Sequence, residues 1–263
     1  MLLGVDGVIG GRGWLELEDK QVLVLGASSF GRACVRGFLD EGARVLAADR
    51  SDGALKDLRV HVGNVGSEDL LTRTVDVRSS DDCRGLAEFA KEHLGGLDVV
   101  VHAVGTNDRR EVRDTSDASW AHVLETNLTS AFWLARETLD LLRVAEHGKM
   151  VFFSSVSASL AHPRHGAYAA SKGGLNQLIK VLAIELAEDG VHVNGVAPGY
   201  VETNLTADYL ANPGTRADLT ARVPMGRLGV IEDVVGPTLF LSSSRSNFTT
   251  GQVLVVDGGR TLD

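Results

Sequence analysis

Seven short runs rich in valine and leucine punctuate this chain. They are "QVLVLG" (21–26), "ARVLAAD" (43–49), "LLTRTVDV" (70–77), "GLDVVVHAVG" (96–105), "GKMVFFSS" (148–155), "VHVNGVAPG" (191–199) and "GQVLVVDGG" (251–259). A strand that is apolar on nearly every position must bury both of its faces, which is the habit of a parallel sheet covered by helices on both sides. Helical sequence does separate the runs, over about Gly31 to Gly42, 79–95, 117–146 and 166–189. The expectation is therefore a doubly wound α/β fold in one domain over 14–263, with glycine-rich residues 1–13 as a flexible extension. At 263 residues and 44% hydrophobic content the chain can fill one sizeable core. Such a sheet binds its ligands outside the carboxyl ends of its strands, so chemistry is sought there.

The remaining totals mostly exclude. No run of about 18 apolar residues is present, so no membrane span is expected. The start, "MLLGVDGVIGGRGW", lacks the basic region of a signal peptide. Two cysteines, Cys34 and Cys83, lie in helical sequence and read as reduced thiols of a cytoplasmic protein. A net charge of −9 argues weakly against nucleic acid or an anionic membrane as partner. No Cys/His cluster has metal-ligand spacing. A small-molecule substrate remains.

In "YAASK", Tyr168 and Lys172 stand four apart in helical sequence, so both project from one face. A tyrosine is a poor base at neutral pH, but a nearby ammonium stabilises its phenolate and makes it usable as an acid/base. Taken alone the pair says little, because Tyr and Lys recur at this spacing by chance. Ser155, at the end of "KMVFFSS", puts a hydroxyl at the ligand edge of the sheet, where it can hydrogen-bond a reacting oxygen. Asn127 in "ETNLTS" lies within a helical stretch, where it can hold a water or a backbone group or simply face solvent.

Together "ETNLTS", "FFSSVS", "YAASKGGL", "VNGVAPGYVET" and "GQVLVVDGG", in this order, resemble the short-chain dehydrogenase/reductase family from about Trp14 to the C-terminus. The resemblance implies a Rossmann-type sheet and a catalytic set of Asn127, Ser155, Tyr168 and Lys172. Tyr168 would be the general acid/base, and Ser155 would orient the substrate carbonyl. Lys172 would hold the nicotinamide ribose and lower the tyrosine pKa, while Asn127 would support a water-linked proton relay. It further implies that Pro198, Gly199, Val201 and Thr203 lie along the nicotinamide and nearby phosphate, and that Asp76 and Val77 flank the adenine. The family's paired helices imply a homotetramer, or else a dimer, through the stretches 117–146 and 166–189, which carry Phe132, Trp133, Leu178 and Leu182.

Two departures stand out. The family's glycine turn has three glycines; "GASSFGRA" has two and is one residue short. Gly26 matches the first, Gly31 the last, and the middle one, where backbone approaches the pyrophosphate, is the one deleted. Phe30 then precedes Gly31, with Ser28 at the start of the turn. The second departure is "HAVG" (102–105) in place of N-N-A-G. It keeps Gly105 but puts His102 at the strand end, read as a packed, structural residue near the adenosine side. Asp49, about 20 residues after the turn, can bind the ribose hydroxyls and repel a 2′-phosphate, so NAD(H) is favoured over NADP(H), with Arg50 and Ser28 partly opposing. "SASLAHPRHGA", with His162, Arg164 and His165, and "NLTADYLANPGTRADLTARVPMG", a lid-like segment, should border the substrate. The basic cluster suits either an anionic substrate or a solvated loop. The reading is an oxidoreductase acting on a secondary alcohol or ketone. The altered turns leave a non-catalytic scaffold as the alternative.

Overall fold

All seven runs form strands: β1 (Gln21–Leu25), β2 (Arg44–Asp49), β3 (Leu70–Thr74), β4 (Val99–His102), β5 (Lys149–Phe153), β6 (His192–Pro198) and β7 (Val253–Val256). They make one parallel sheet in the order β3-β2-β1-β4-β5-β6-β7. The computed structural model describes residues 13–63, 66, 68–203 and 205–262, so the expected extension lies outside the described residues except for Gly13. Successive side chains of a strand point to opposite faces, and here they feed two cores. Leu23, Leu25, Leu46, Val100, Met150 and Phe152 pack on one face; Val22, Val24, Val45, Val99, Val101 and Val151 pack on the other. Each such side chain, fully buried, contributes about 1.5–3 kcal/mol of transfer free energy, which is why the strands carry apolar residues at both parities.

Helices cover both faces. On one lie α1 (Ser29–Asp40), α2 (Asp52–Val62) and α9 (Ile231–Leu241); on the other lie α3 (Ser80–Leu94), α5 (Ser130–Leu142) and α6 (Gly166–Glu185). Serine side chains cap two of their N-termini: Ser51 accepts from Ala54 N and Ser79 from Asp82 N. The expected 117–146 helix is α4 (Asp117–Leu124) and α5 joined by a widened π-turn, Glu125–Thr129. The lid-like segment folds as α7 (Ala207–Leu210) and α8 (Pro213–Ala221). Helices α2 and α9 fall where the sequence reading placed no element. Among the described residues no helix is long and apolar enough to cross a membrane.

The chain leaves β1 in one direction toward β2 and β3, and returns past it to β4, β5, β6 and β7. The connections after β1 and β4 therefore diverge, opening a crevice at the carboxyl ends of those two strands.

Candidate active site

The crevice begins at the glycine turn. Gly26 has φ +105, in the left-handed region that only glycine adopts freely, and its backbone presses on Ala103. A Cβ on Gly31 would sit 1.9 Å from Gly26 O, so α1 starts directly on the turn and tolerates nothing larger than hydrogen there. In the shortened loop between them, Ser29 takes φ +43, so a serine adopts a left-handed conformation. Ser28, the N-cap of α1, is exposed, and its hydroxyl makes no capping bond.

Two adjoining cavities, of about 310 Å³ and 340 Å³, run along the strand ends and share Ser28, Ala103, Val104 and Gly105. The first is walled by Gly26, Asp49, Asp76, Val77 and Thr126. Asp49 is anchored at both oxygens: Oδ2 accepts from Ala27 N at 2.8 Å and Oδ1 from Ser51 N at 2.9 Å. Each oxygen keeps a lone pair for a further donor. The Arg78 guanidinium, 2.6 Å from Asp76 Oδ2, holds that carboxyl down to about 2. Thr126 Oγ1 is buried with no partner among the described residues. Arg50 lines the same wall.

The second cavity holds the phenol and the amine of the Tyr–Lys helix. Tyr168 and Lys172 rise from the first turns of α6, with Lys172 Nζ 5.8 Å from the Tyr168 ring centre. Ser155, just past β5, caps the short 3₁₀ turn Val156–Ala158 through Ser157 N at 3.1 Å and hydrogen-bonds the Tyr168 phenol. Lys172 is buried, donates to Phe153 O at 2.6 Å, and is pushed down to about 8 by burial. Burial also raises the Tyr168 phenol above its ordinary value, with the Ser155 hydrogen bond and the Arg109 charge working against that. The net direction at the phenol is therefore upward. Desolvation of the phenolate outweighs the charges around it.

Asn127, fully buried, does not face solvent. Its Oδ1 accepts from Thr106 N at 2.8 Å, and its Nδ2 donates to Thr106 O and Ser171 Oγ, both at 2.9 Å. It pins the loop after β4 to α6 from the middle of the π-turn, a helical distortion that recurs at functional sites. Gly105 sits against both Asn127 and Lys172; a Cβ there would lie 3.7 Å from Asn127 Oδ1 and from Lys172 Nζ. Phe30 stacks on Phe153, ring centres 5.2 Å apart, to form the cavity floor.

The segment after β6 is divided. Thr203 lines the second cavity, and its N–H is held by Thr206 Oγ1 at 2.9 Å. Pro198 ends β6, Gly199 packs on Asp257, and Val201 is buried along a separate cavity with Gly229 and Asp257. His102 is structural, as its sequence position suggests. Ser130 Oγ donates to Thr126 O, so it must accept from His102 Nε2, 2.8 Å away. Burial and the Lys172 charge push the imidazole down to about 3. It lines neither cavity, and through Ser130 it is tied to Thr126 in the wall of the first. No local motif marks Arg109, whose guanidinium lies 4.0 Å above the Tyr209 ring and acts on Tyr168.

These cavities suit the two ends of a dinucleotide. The positive end of α1 borders the shared middle, with the exposed Ser28 hydroxyl beside it. Carboxylates stand at one end, and a phenol and an ammonium at the other.

Comparison with known proteins agrees. A family model described as enoyl-(acyl carrier protein) reductase matches residues 24–261. The chain is 34% identical to 3beta-hydroxysteroid dehydrogenase 1 of Eggerthella lenta, covering 94% of this chain and 95% of that one. It is 31% identical to a 3-oxoacyl-(acyl-carrier-protein) reductase of Salmonella typhimurium, covering 93% and 98%. Among solved structures, a short-chain type dehydrogenase/reductase from Mycobacterium ulcerans superposes with a TM-score of 0.89 at 26% identity over 93% of this chain and 90% of that one. A glucose/ribitol-type short-chain dehydrogenase/reductase from Brucella melitensis gives 0.88 at 28% over 94% and 98%. With its glycine turn, its Tyr–Lys helix and this similarity along nearly its whole length, the chain belongs to the short-chain dehydrogenase/reductase family, oxidoreductases that move a hydride between a nicotinamide nucleotide and an alcohol or ketone.

Proposed function

We propose that this chain interconverts a small secondary alcohol and its ketone with NAD(H) in preference to NADP(H), and that Tyr168 is its acid/base. The observation that carries the reading is the meeting of Tyr168 and Lys172, with Ser155 against the phenol, in a cavity continuous with the one that Asp49 borders. Relatives named for a 3β-hydroxysteroid and a 3-oxoacyl-(acyl-carrier-protein) share with the glucose/ribitol type only the secondary alcohol or ketone. That shared element is what we carry over.

A nicotinamide bound beside Tyr168 and Lys172 would accept or supply the hydride. The Ser155 hydroxyl and the Tyr168 phenol converge on the place where the substrate oxygen must lie, and Tyr168 takes the hydroxyl proton on oxidation and returns it on reduction. With its pKa held near 8, Lys172 keeps its proton at neutral pH, while the phenol, raised by burial, keeps its own. The resting pair is therefore poised to donate, and oxidation gains as pH rises. Asn127, through Thr106 and Ser171, fixes the loop and helix on which Gly105 and Lys172 ride. Asp49 supports the NAD(H) preference because its charge repels a 2′-phosphate. A cytoplasmic setting is supported by Cys34 and Cys83, both free and buried.

A homotetramer is supported by apolar side chains left outside: Phe132 on α5, Val181 and Ile184 on α6, and Leu254 and Val255 on β7. Leu178 and Leu182, which the sequence offered for this role, pack instead against the chain's own core.

The test is a pair of binding titrations, NADH and NADPH, on wild type and on Asp49→Asn, a change that removes the charge and keeps an acceptor for Ala27 N. The expected result is tighter NADH binding by wild type and at least about a tenfold loss of that preference in the variant, the scale of one charge-assisted contact. A wild type that prefers NADPH refutes the cofactor assignment.

A further inference from the structure

Outside the cofactor trough, a row of rings leads away from the catalytic phenol. His165 lies 6.1 Å from Tyr168, His162 lies 5.6 Å from His165, and Tyr200 lies 5.9 Å from His162, each between ring centres. The loop after β4 runs alongside, with Arg110 and His165 forming an isolated parallel bridge. That pairing brings Arg109 beside the row. Arg109 is half-buried, and its guanidinium rests 4.0 Å above Tyr209 of α7, so it spans from the β4 loop to the lid segment. Its neighbours Arg110 and Arg113 are paired with carboxylates; among the described residues Arg109 has none within salt-bridge distance. The charged side chains that act on His162, His165 and Tyr168 are arginines: 109, 164, 222 and 260. His162 Nε2 is buried there with no partner among the described residues.

A half-buried guanidinium held on an aromatic face keeps its planar fork of donors free for a bidentate acceptor. Placed next to the acid/base, with no carboxylate of its own among the described residues, it matches a substrate with a negative charge of its own. We infer that the substrate carries an oxyanion group, a carboxylate or a phosphate ester, remote from its reacting carbinol, and that Arg109 is the residue that selects for it. Tyr209 of the lid segment holds Arg109 in place, and His162 offers a second polar contact on the same side. This rests on the oxidoreductase reading above and names the substrate class for that site.

The test uses matched sets over three- to six-carbon skeletons: a hydroxy acid, its methyl ester, and the phosphate ester of the corresponding diol. Turnover with NAD and calorimetric binding to the NAD-saturated protein are both measured for wild type, Arg109→Gln and Arg109→Lys. Wild type is expected to favour an anionic member over its neutral match by about 10- to 100-fold in kcat/KM, as a charge-assisted bidentate contact warrants. In Arg109→Gln that ratio falls at least about tenfold, chiefly through KM, and Arg109→Lys restores part of it. Whether the acid or the phosphate ester leads identifies which oxyanion is meant. Binding of the anion that depends on Arg109, with no turnover of any member, sustains the inference and counts against the oxidoreductase reading instead. Equal handling of acid and ester, a ratio unmoved by Arg109→Gln, or no binding of any anion at millimolar concentration overturns it.

Discussion

Replacing Gly31 with alanine should separate nucleotide binding from the rest of the fold. The added Cβ would lie 1.9 Å from Gly26 O, while 3.0 Å is about the shortest approach that real Cβ atoms show. The obstacle is backbone on both sides, so no side chain can swing away. The start of α1 must retreat by roughly an ångström, the kind of overpacking that costs about 1–3 kcal/mol. In a chain of this length that lowers Tm by roughly 2–4 °C per kcal/mol. The retreat also carries the first-turn N–H groups away from the pyrophosphate. Losing one charge-assisted hydrogen bond of about 1.5–3 kcal/mol weakens NADH by roughly one to two orders of magnitude. Gly236→Ala is the control: it sits inside α9 with nothing within 4 Å of its would-be Cβ, so it should stabilise by about 0.5–1 kcal/mol and leave affinity alone. Thermal scans and NADH isotherms on the two variants and wild type are the assay. A Gly31→Ala protein that melts and binds like wild type would refute the argument that α1 rests on the turn.

The other expectations concern the departures from the family pattern and the assembly. Ser29→Gly and Ser29→Ala both remove the hydroxyl, but only glycine relieves the left-handed backbone, so chemical denaturation should find the glycine variant the more stable of the two by roughly 1 kcal/mol; equal stabilities would mean the φ carries no strain. His102 is held neutral at a pKa of about 3 in the fold and takes a proton below its ordinary 6.5 when unfolded. Stability is therefore lost as pH falls below 6.5, at up to about 1.4 kcal/mol per unit. His102→Asn should flatten the denaturation midpoint between pH 6.5 and 4.5; an unchanged acid limb would place the sensitivity elsewhere. Sedimentation should find a tetramer, or a dimer, at micromolar concentration. A charge at Ile184, 78% exposed in the single chain, should loosen it; a wild-type monomer contradicts the assembly.

What was legible in the sequence was what local pattern controls. Valine-rich runs such as "DVVVH" must be buried on both faces, so the strands could be placed, and Tyr168, Lys172 and Ser155 fall near one another because one helix and one strand end dictate it. Helix α2 escaped although Leu55, Leu58 and Val62 recur at helical spacing, because it follows β2 at once and has a glycine in its first turn. Helix α9 escaped because Gly236 and Pro237 read as breakers; contacts of Val235 and Leu239 with Gly37 of α1 keep it helical despite them. The rise of the Tyr168 pKa could not be read from a Tyr–Lys spacing, since it depends on how deeply the phenol is buried. Arg109 lies 100 positions from the tyrosine it covers, and no local motif marks that pairing.

The central claim is that Tyr168 moves the proton while the rest of the trough holds the nucleotide. Tyr168→Phe removes only the phenolic oxygen, so the most direct measurement is single-turnover hydride transfer, followed by nicotinamide absorbance, alongside the NADH isotherm of the same variant. The account predicts a rate lowered by about 10²-fold or more, as loss of a positioned acid/base warrants, with NADH affinity within about a factor of three of wild type. Hydride transfer above about a tenth of the wild-type rate would take Tyr168 out of the acid/base role and contradict the account.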